Sequence, residues 1–326
     1  MIISTYTESW PIRGKFIISR GSKTNADVIV VECLKNKKKG WGEAVPYKHY
    51  GESISQSLEE IDHIKNKIQD GLTREHLINL MPQGAARNAL DCALWDLESK
   101  EKNIPVWQLA GLPEPKPIIT AYTISFKSAI EMGQEAAINF YRPLLKIKLG
   151  METDLERIEN VHKNAPHSKI IIDANEAWTI QILEKLTPKL ADLNVALIEQ
   201  PLPANQDDAL RGRTFQIPLC ADESCRKIED LPALVQKYQY INIKLDKTGG
   251  LTHAINFVKE AQRLNLKIMI GCMVATSLSM APAMLLSAYA DYIDLDGPLL
   301  LEKDRENPIH FHESLMYPAN LWGTLQ

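Results

Sequence analysis

A chain of 326 residues exceeds the size of a single hydrophobic core, so one large barrel or two domains is expected. With 45% hydrophobic residues, 24% charged residues and a formal net charge of -4, the composition offers no basic footprint for nucleic acid and no polybasic patch for a membrane. Five scattered cysteines (Cys33, Cys92, Cys220, Cys225, Cys272) without a Cys-x-x-Cys pair argue against a disulfide framework or structural zinc, and point to the cytoplasm.

The first residues carry neither a charged n-region nor an apolar h-region, so no secretion address is visible. Residues 1 to about 46 read as a small antiparallel sheet, with strands over Phe16 to Ser19, Asp27 to Leu34 and Trp41 to Val45. The run Lys35-Asn36-Lys37-Lys38-Lys39-Gly40 falls between two of them as a solvated hairpin loop. A helix follows Ser53, whose spacing to Gln56 is that of a capping box, with Ile54, Leu58, Ile61, Ile64 and Ile68 on one stripe. A second follows Gly84, with Ala86, Ala89, Leu90, Ala93, Leu94 and Leu97 aligned. Pro113, Pro115 and Pro117 then close an α+β domain over residues 1–115.

From residue 116 to 297 strand and helix patterns alternate. Strands are expected at Ile118 to Thr123, Leu144 to Leu149, Lys169 to Asp173, Val195 to Glu199, Ile217 to Asp222, Tyr240 to Leu245, Lys267 to Cys272 and Tyr292 to Leu295. Eight such repeats predict a parallel (β/α) barrel. The uncharged run from Ile268 to Ala290 is broken by Gly271, Thr276, Pro282 and three serines, so it reads as a buried strand and helix instead of a membrane span. Residues 298–326 form a C-terminal segment expected to pack back on the first domain.

Polar groups cluster at the strand ends, which a barrel gathers at one mouth. In Leu144 to Gly150 a period of two puts Lys146 and Lys148 on one face. A solvated edge strand explains a lone Lys-x-Lys; two crowded, desolvated amines instead lower at least one pKa toward the range of a base. Asp173, Glu199 and Asp222 end three successive apolar strands. Each alone suits a helix cap or ion pair, but at matching register three oxygen donors favour Mg²⁺ over zinc. Lys148 precedes this acidic group and Lys244 follows it, an arrangement for removing a proton from one face of a carbon and returning it to the other.

Lys146-Ile147-Lys148, Asp173-Ala174-Asn175, Glu199-Gln200-Pro201, Asp222-Glu223 and Lys244-Leu245-Asp246-Lys247-Thr248-Gly249-Gly250 together resemble the muconate-lactonizing subgroup of the enolase superfamily, across nearly the whole chain. The resemblance implies a modified (β/α)7β TIM barrel with an N-terminal α+β capping domain, Lys148 and Lys244 as acid and base, and one Mg²⁺ per subunit on Asp173, Glu199 and Asp222. A lysine base paired with magnesium is known of that superfamily. Asp294-Leu295-Asp296 resembles the motif by which its dipeptide epimerases bind a substrate ammonium, although two strand-end turn residues before Gly297-Pro298 read equally well. Lys146, Thr123 and Cys272 match substrate-lining positions, and loops near 16–23 and 46–53 resemble the specificity loops of L-Ala-D/L-Glu epimerases, with Arg20 facing a second carboxylate. The expected activity is inversion of the C-terminal residue of L-Ala-D/L-Glu through an enediolate, in murein peptide metabolism. The expected partner is thus a small dipeptide, with self-association left open. An N-acylamino acid racemase, o-succinylbenzoate synthase or cycloisomerase shares the general site, and a Schiff-base lysine aldolase-type barrel is the rival of another class.

Overall fold

The computed structural model describes residues 1–69, 71–151 and 153–324. Strands β1 (Ile2–Ile18), β2 (Gly21–Lys35) and β3 (Lys38–Ala44) form an antiparallel sheet in that order. β1 is far longer than the expected strand at Phe16 to Ser19. Most of its residues keep some exposure on both faces, so its apolar alternation is weak, and pairing from Ile2↔Leu34 to Ile18↔Gly21 defines it instead. Helices α1 (Ile54–Gln69), α2 (Arg74–Leu80), α3 (Ala85–Lys102) and α4 (Val106–Leu109) follow. Only half the expected capping box forms at α1: Gln56 N–H donates to Ser53 Oγ (3.2 Å), while the Gln56 amide turns to Glu60. α3 packs directly on β3, where a Cβ at Gly42 would meet Ala89 O at 2.0 Å, so only glycine admits the contact.

The expected first barrel strand is split. β4 (Ile118–Ile119) leaves the barrel to join a small sheet, and β5 (Tyr122–Ile124) opens the barrel. After α5 (Ala129–Ile138) come β6 (Leu144–Lys148), α6 (Asp154–Asn164), β7 (Lys169–Asp173), α7 (Ile180–Ala191), β8 (Val195–Glu199) and β9 (Leu219–Ala221). β9 is shorter than expected because Pro218 has no N–H for the ladder. Next are α8 (Leu231–Leu234), β10 (Tyr240–Ile243), α9 (Leu245–Thr248), α10 (Leu251–Arg263), β11 (Lys267–Gly271), α11 (Ser277–Met284) and β12 (Tyr292–Asp294). Neighbours from β5 to β12 are all parallel, and the two ends meet through Ala121 N–H to Ile293 O (2.8 Å) and Leu295 N–H to the Thr120 hydroxyl (2.8 Å). This is the α/β barrel expected.

β14 (Leu315–Met316) pairs with β4 on one side and with β13 (Phe311–His312) on the other. The tail then reaches the first sheet: the Trp322 indole donates to Trp41 O (2.9 Å), and Gly323 N–H to Asp96 (2.8 Å). Leu325 and Gln326 lie outside the described residues. The N-terminal layer is held over the barrel by buried polar contacts. Arg87 donates to Thr248 O and Gly249 O, Asp91 accepts from Thr252, and Asp246 accepts from Val45 N–H and Asn88. Among the described residues no helix is long and apolar enough to cross a membrane.

Candidate active site

Alternation along each strand decides what the barrel interior contains. Leu144, Ile171, Leu197, Cys220, Tyr240 and Met269 form an apolar floor, whereas Leu145, Ile147 and Leu149 face the outer helices. One step above the floor the same inward faces carry Lys146, Asp173, Glu199, Asp222, Asn242 and Asp294, and one step further Lys148 and Lys244. All of these are buried. β6 and β10 are four strands apart in a ring of eight, so Lys148 and Lys244 approach the barrel axis from opposite sides.

The amines and carboxylates are interleaved. Lys148 Nζ donates to Asp173 Oδ2 (2.6 Å), and Lys244 Nζ to Asp222 Oδ2 (2.6 Å). Lys146 Nζ lies 2.6 Å from Asp294, 2.7 Å from Glu199 and 3.3 Å from Asp173. For Lys146 these contacts reverse the expectation that crowding depresses a lysine pKa. Burial does favour the neutral amine, but for Lys146 the carboxylates of Asp294, Glu199 and Asp173 outweigh it, and for Lys244 those of Asp222 and Glu199; both pKa values are raised. Asp173 is held below the usual carboxylate range against its burial, chiefly by Lys148 and Lys146. Asp222 is lowered likewise by Lys244 and Lys247. Glu199 goes the other way despite its contact with Lys146, because burial and the neighbouring Asp173 prevail.

Among the described residues no three acidic, histidine or cysteine side chains are gathered closely enough to hold an ion as they stand, since ammonium groups stand between the carboxylates. The donor set nevertheless suits a hard divalent cation. Asp173, Glu199 and Asp222 offer only oxygen, from adjacent strand ends, and the buried Glu199 Oε2 makes no hydrogen bond although Lys146 is close.

A cavity of about 470 Å³ lies above these groups, lined by Thr123, Lys148, Asp222, Lys244, Cys272, Asp294 and Asp296 from the barrel, and by Phe16, Arg20, Lys23, Tyr47 and Tyr50 from the N-terminal layer. Lys146 and Glu199 lie deeper. Asp296 accepts from Thr123 N–H (2.6 Å), and burial with the nearby Asp294 pushes its pKa up to about 7. Asp294 Oδ1 is buried without a hydrogen bond. Arg20 reaches the mouth, but its fork is taken by Glu176 (2.8 Å) and Glu223 (2.6 Å).

Three side chains at the site carried no assignment from the sequence. Asn242 donates to Glu199 Oε1 (2.7 Å), and sits two residues before Lys244 on the same inward face, a signal that strand period alone supplies. Lys247 donates to Asp222 Oδ1, Asp222 O and Asn242 O. Gln200, with a left-handed φ of 36°, accepts from the Asp222 and Ser224 N–H groups. Nothing in the pattern around Lys247 or Gln200 marks those contacts.

Residues 2–111 match the mandelate racemase / muconate lactonizing enzyme N-terminal domain, and residues 131–321 the enolase C-terminal domain-like family. N-acetyl-D-glutamate racemase from Pseudoalteromonas sp. is 45% identical over 91% of this chain and 95% of its own. L-Ala-D/L-Glu epimerase from Escherichia coli (strain K12) is 40% identical over 95% of this chain and 97% of its own. A solved enolase family member from Agrobacterium tumefaciens with homology to dipeptide epimerases, with bound sodium and L-Ala-L-Glu, superposes with a TM-score of 0.96 at 46% identity, covering 98% of this chain and 99% of its own. The dipeptide epimerase from Enterococcus faecalis V583, complexed with Mg and L-Leu-L-Tyr, does so with a TM-score of 0.91 at 26% identity, covering 98% and 97%. Matched at both ends and along nearly its whole length, the chain belongs to the enolase superfamily, in its mandelate racemase/muconate lactonizing enzyme branch.

Proposed function

We propose that the protein is a magnesium-dependent dipeptide epimerase that inverts the C-terminal residue of L-Ala-D/L-Glu by 1,1-proton transfer. One observation carries the reading: Lys148 and Lys244 face each other across a cavity lined by Asp222, Asp294 and Asp296, with Asp173 bonded to Lys148 and Glu199 beside Lys146 behind that lining. A substrate α-carbon between the lysines gives its proton to one and receives a proton from the other on the opposite face. Asp173, Glu199 and Asp222 would hold the cation. When bound, it supplies positive charge against which the substrate carboxylate gains electron density as the α-proton leaves. Lys146, joined to Glu199 and Asp294, adds a fixed ammonium from below. Asp294 and Asp296 receive the substrate ammonium, Asp294 Oδ1 being buried without a hydrogen bond. Thr123 and Cys272 line the wall beside them.

We assign residues 1–115 to the capping domain, 116–297 to the catalytic barrel and 298–326 to the C-terminal segment. The D-Glu epimer connects the reaction to reuse of cell-wall peptides, and five free cysteines favour a reducing cytoplasm.

A second reading, racemisation of an N-acylated glutamate, has the 45% identical racemase behind it. Two carboxylates beside the substrate nitrogen favour an ammonium over a neutral amide. Proton exchange in D₂O tests both, with L-Ala-L-Glu and N-acetyl-D-glutamate as substrates. Lys148→Ala and Lys244→Ala should each abolish epimerisation of the dipeptide, each retaining exchange for one isomer only. A variant that still epimerises at near wild-type rate refutes the two-base mechanism, and preference for N-acetyl-D-glutamate replaces the substrate. A borohydride-trapped adduct on either lysine, with activity surviving EDTA, establishes the Schiff-base class instead.

A further inference from the structure

The two lysines that face each other are held in different ways. Lys148 ends β6 inside the sheet, paired with Asp173 of β7, and the next residue continues the ladder through Leu149 N–H to Asp173 O (3.0 Å). Lys244 lies one residue beyond the last pair of β10, Ile243↔Ile270, and is the N-cap of the single-turn helix α9. Its carbonyl accepts from Lys247 N–H (3.0 Å) and Thr248 N–H (3.0 Å), so its backbone sits where that turn sits. A shift of the turn carries the amine with it.

The turn is gripped from outside the barrel. Arg87 of α3 is buried, and it donates from Nη2 to Thr248 O (2.7 Å) and from Nε to Gly249 O (3.0 Å), carbonyls at the C-terminal end of α9. Its Nη1 goes to Ile78 O and Met81 O (3.3 Å each) within the N-terminal layer, and Nη2 also lies 3.0 Å from His253 Nδ1. None of these partners is a carboxylate. Burial lowers the Arg87 pKa although Asp91 opposes it, so a cation is stripped of water here in order to bond carbonyls, a costly arrangement that an apolar side chain would avoid. The fit is close: Gly249 has a left-handed φ of 75°, and a Cβ there would meet Arg87 Nε at 2.5 Å. Arg87 does not line the cavity, so its route to Lys244 is through α9.

We propose that Arg87 is a positioning residue for Lys244 and not for Lys148: by holding the carbonyl end of α9, the N-terminal layer sets the placement of one base while the sheet sets that of the other. This rests on the epimerase reading. The test is the initial rate of α-proton exchange in D₂O with saturating Mg²⁺, for L-Ala-L-Glu and L-Ala-D-Glu, with wild type, Arg87→Ala and Arg87→Lys. Lys148→Ala and Lys244→Ala identify which isomer each lysine deprotonates. Arg87→Ala should lower exchange of the Lys244-dependent isomer roughly tenfold or more relative to the Lys148-dependent one, because a small misplacement of a reacting group is costly. Arg87→Lys keeps a cation but not the planar fork that spans two carbonyls, and should show the same asymmetry to a smaller degree. Both rates come from one preparation, so an unfolded fraction lowers them together and leaves their ratio unchanged. A wild-type ratio in the Arg87 variants, whether both isomers are lost in parallel or neither is, overturns the proposal, and so does a deficit on the Lys148-dependent isomer. Where Arg87→Ala does not fold, the ratio in Arg87→Lys decides. A wild-type protein that exchanges neither isomer overturns the epimerase reading itself.

Discussion

Replacing Lys247 by methionine tests how the carboxylate cluster is held. The side chain is buried, and its Nζ donates to Asp222 Oδ1 (2.5 Å), Asp222 O (2.7 Å) and Asn242 O (2.9 Å), which uses all three ammonium protons. Methionine keeps most of the volume but leaves a buried carboxylate oxygen and two carbonyls without that donor. Removing one partner of a buried ion pair costs about 3–5 kcal/mol, a large part of the roughly 5–15 kcal/mol typical of a folded protein. At roughly 2 °C per kcal/mol for a chain of this size, the metal-free variant should melt about 6–10 °C below wild type by calorimetry in EDTA. Magnesium should then raise its melting temperature more than it raises that of wild type. Asp222 has lost one of its two cations, and a tenfold tighter dissociation constant adds about 1.4 kcal/mol at saturating metal. A melting temperature within about 2 °C of wild type, or equal magnesium-induced shifts, would refute Lys247 as the holder of Asp222.

Glu176→Gln removes the charge that both capping loops grip, so trypsin should cleave after Arg20 and Lys23 faster than in wild type, followed by mass spectrometry; equal rates would mean the loops are closed by other contacts. Asp246 gives a pH prediction. Burial first, against the hydrogen bond from Val45 N–H, pushes its pKa up to about 7 from an unfolded 3.8, so the folded state binds the extra proton and stability declines as pH rises from about 4 through 7. Asp246→Asn keeps an acceptor for Val45 and Asn88 without the buried charge, and should shrink the fall in melting temperature between pH 5 and pH 8; an unchanged fall assigns the pH dependence to other buried acids.

What could be read from the sequence was what obeys a period. Lys146 and Lys148 alternate with Leu145, Ile147 and Leu149, so their common inward face followed from strand geometry alone. The carboxylates at Asp173, Glu199 and Asp222 stood out because each ends an apolar run of a parallel strand. β1 was largely missed because a strand exposed on both faces has no clean alternation, and the break between β4 and β5 because residues 118–124 are apolar enough for one strand. Contacts made across the fold left no trace in the spacing. Arg20 finds Glu176 and Glu223 at separations of 156 and 203 residues, which changes it from a free cation into a fastening. The sign of the Lys146 pKa shift was misjudged for the same reason: the neighbouring amine is visible in the strand, but the carboxylates that outweigh it come from β7, β8 and β12.

The two oxygens of Asp222 show how one carboxylate would serve both a lysine and the proposed cation. Oδ1 and the main-chain carbonyl are occupied by Lys247, a buried residue that is not part of the cavity lining, so that end of the group is pinned. Oδ2 faces Lys244, which does line the cavity. Asp173 repeats the division: Oδ1 accepts from Asn175 N–H (3.0 Å), and Oδ2 faces Lys148. In both cases one oxygen contacts a lysine that lines the cavity, and the other accepts from a different donor. A cation held by Asp173 and Asp222 would compete with Lys148 and Lys244, and at Asp173 also with Lys146, which lies 3.3 Å from the same Oδ2. Loading the proposed site would then change the surroundings of Lys148 and Lys244 while leaving the strand ends where the barrel put them, which is the condition for moving protons between rigidly placed groups.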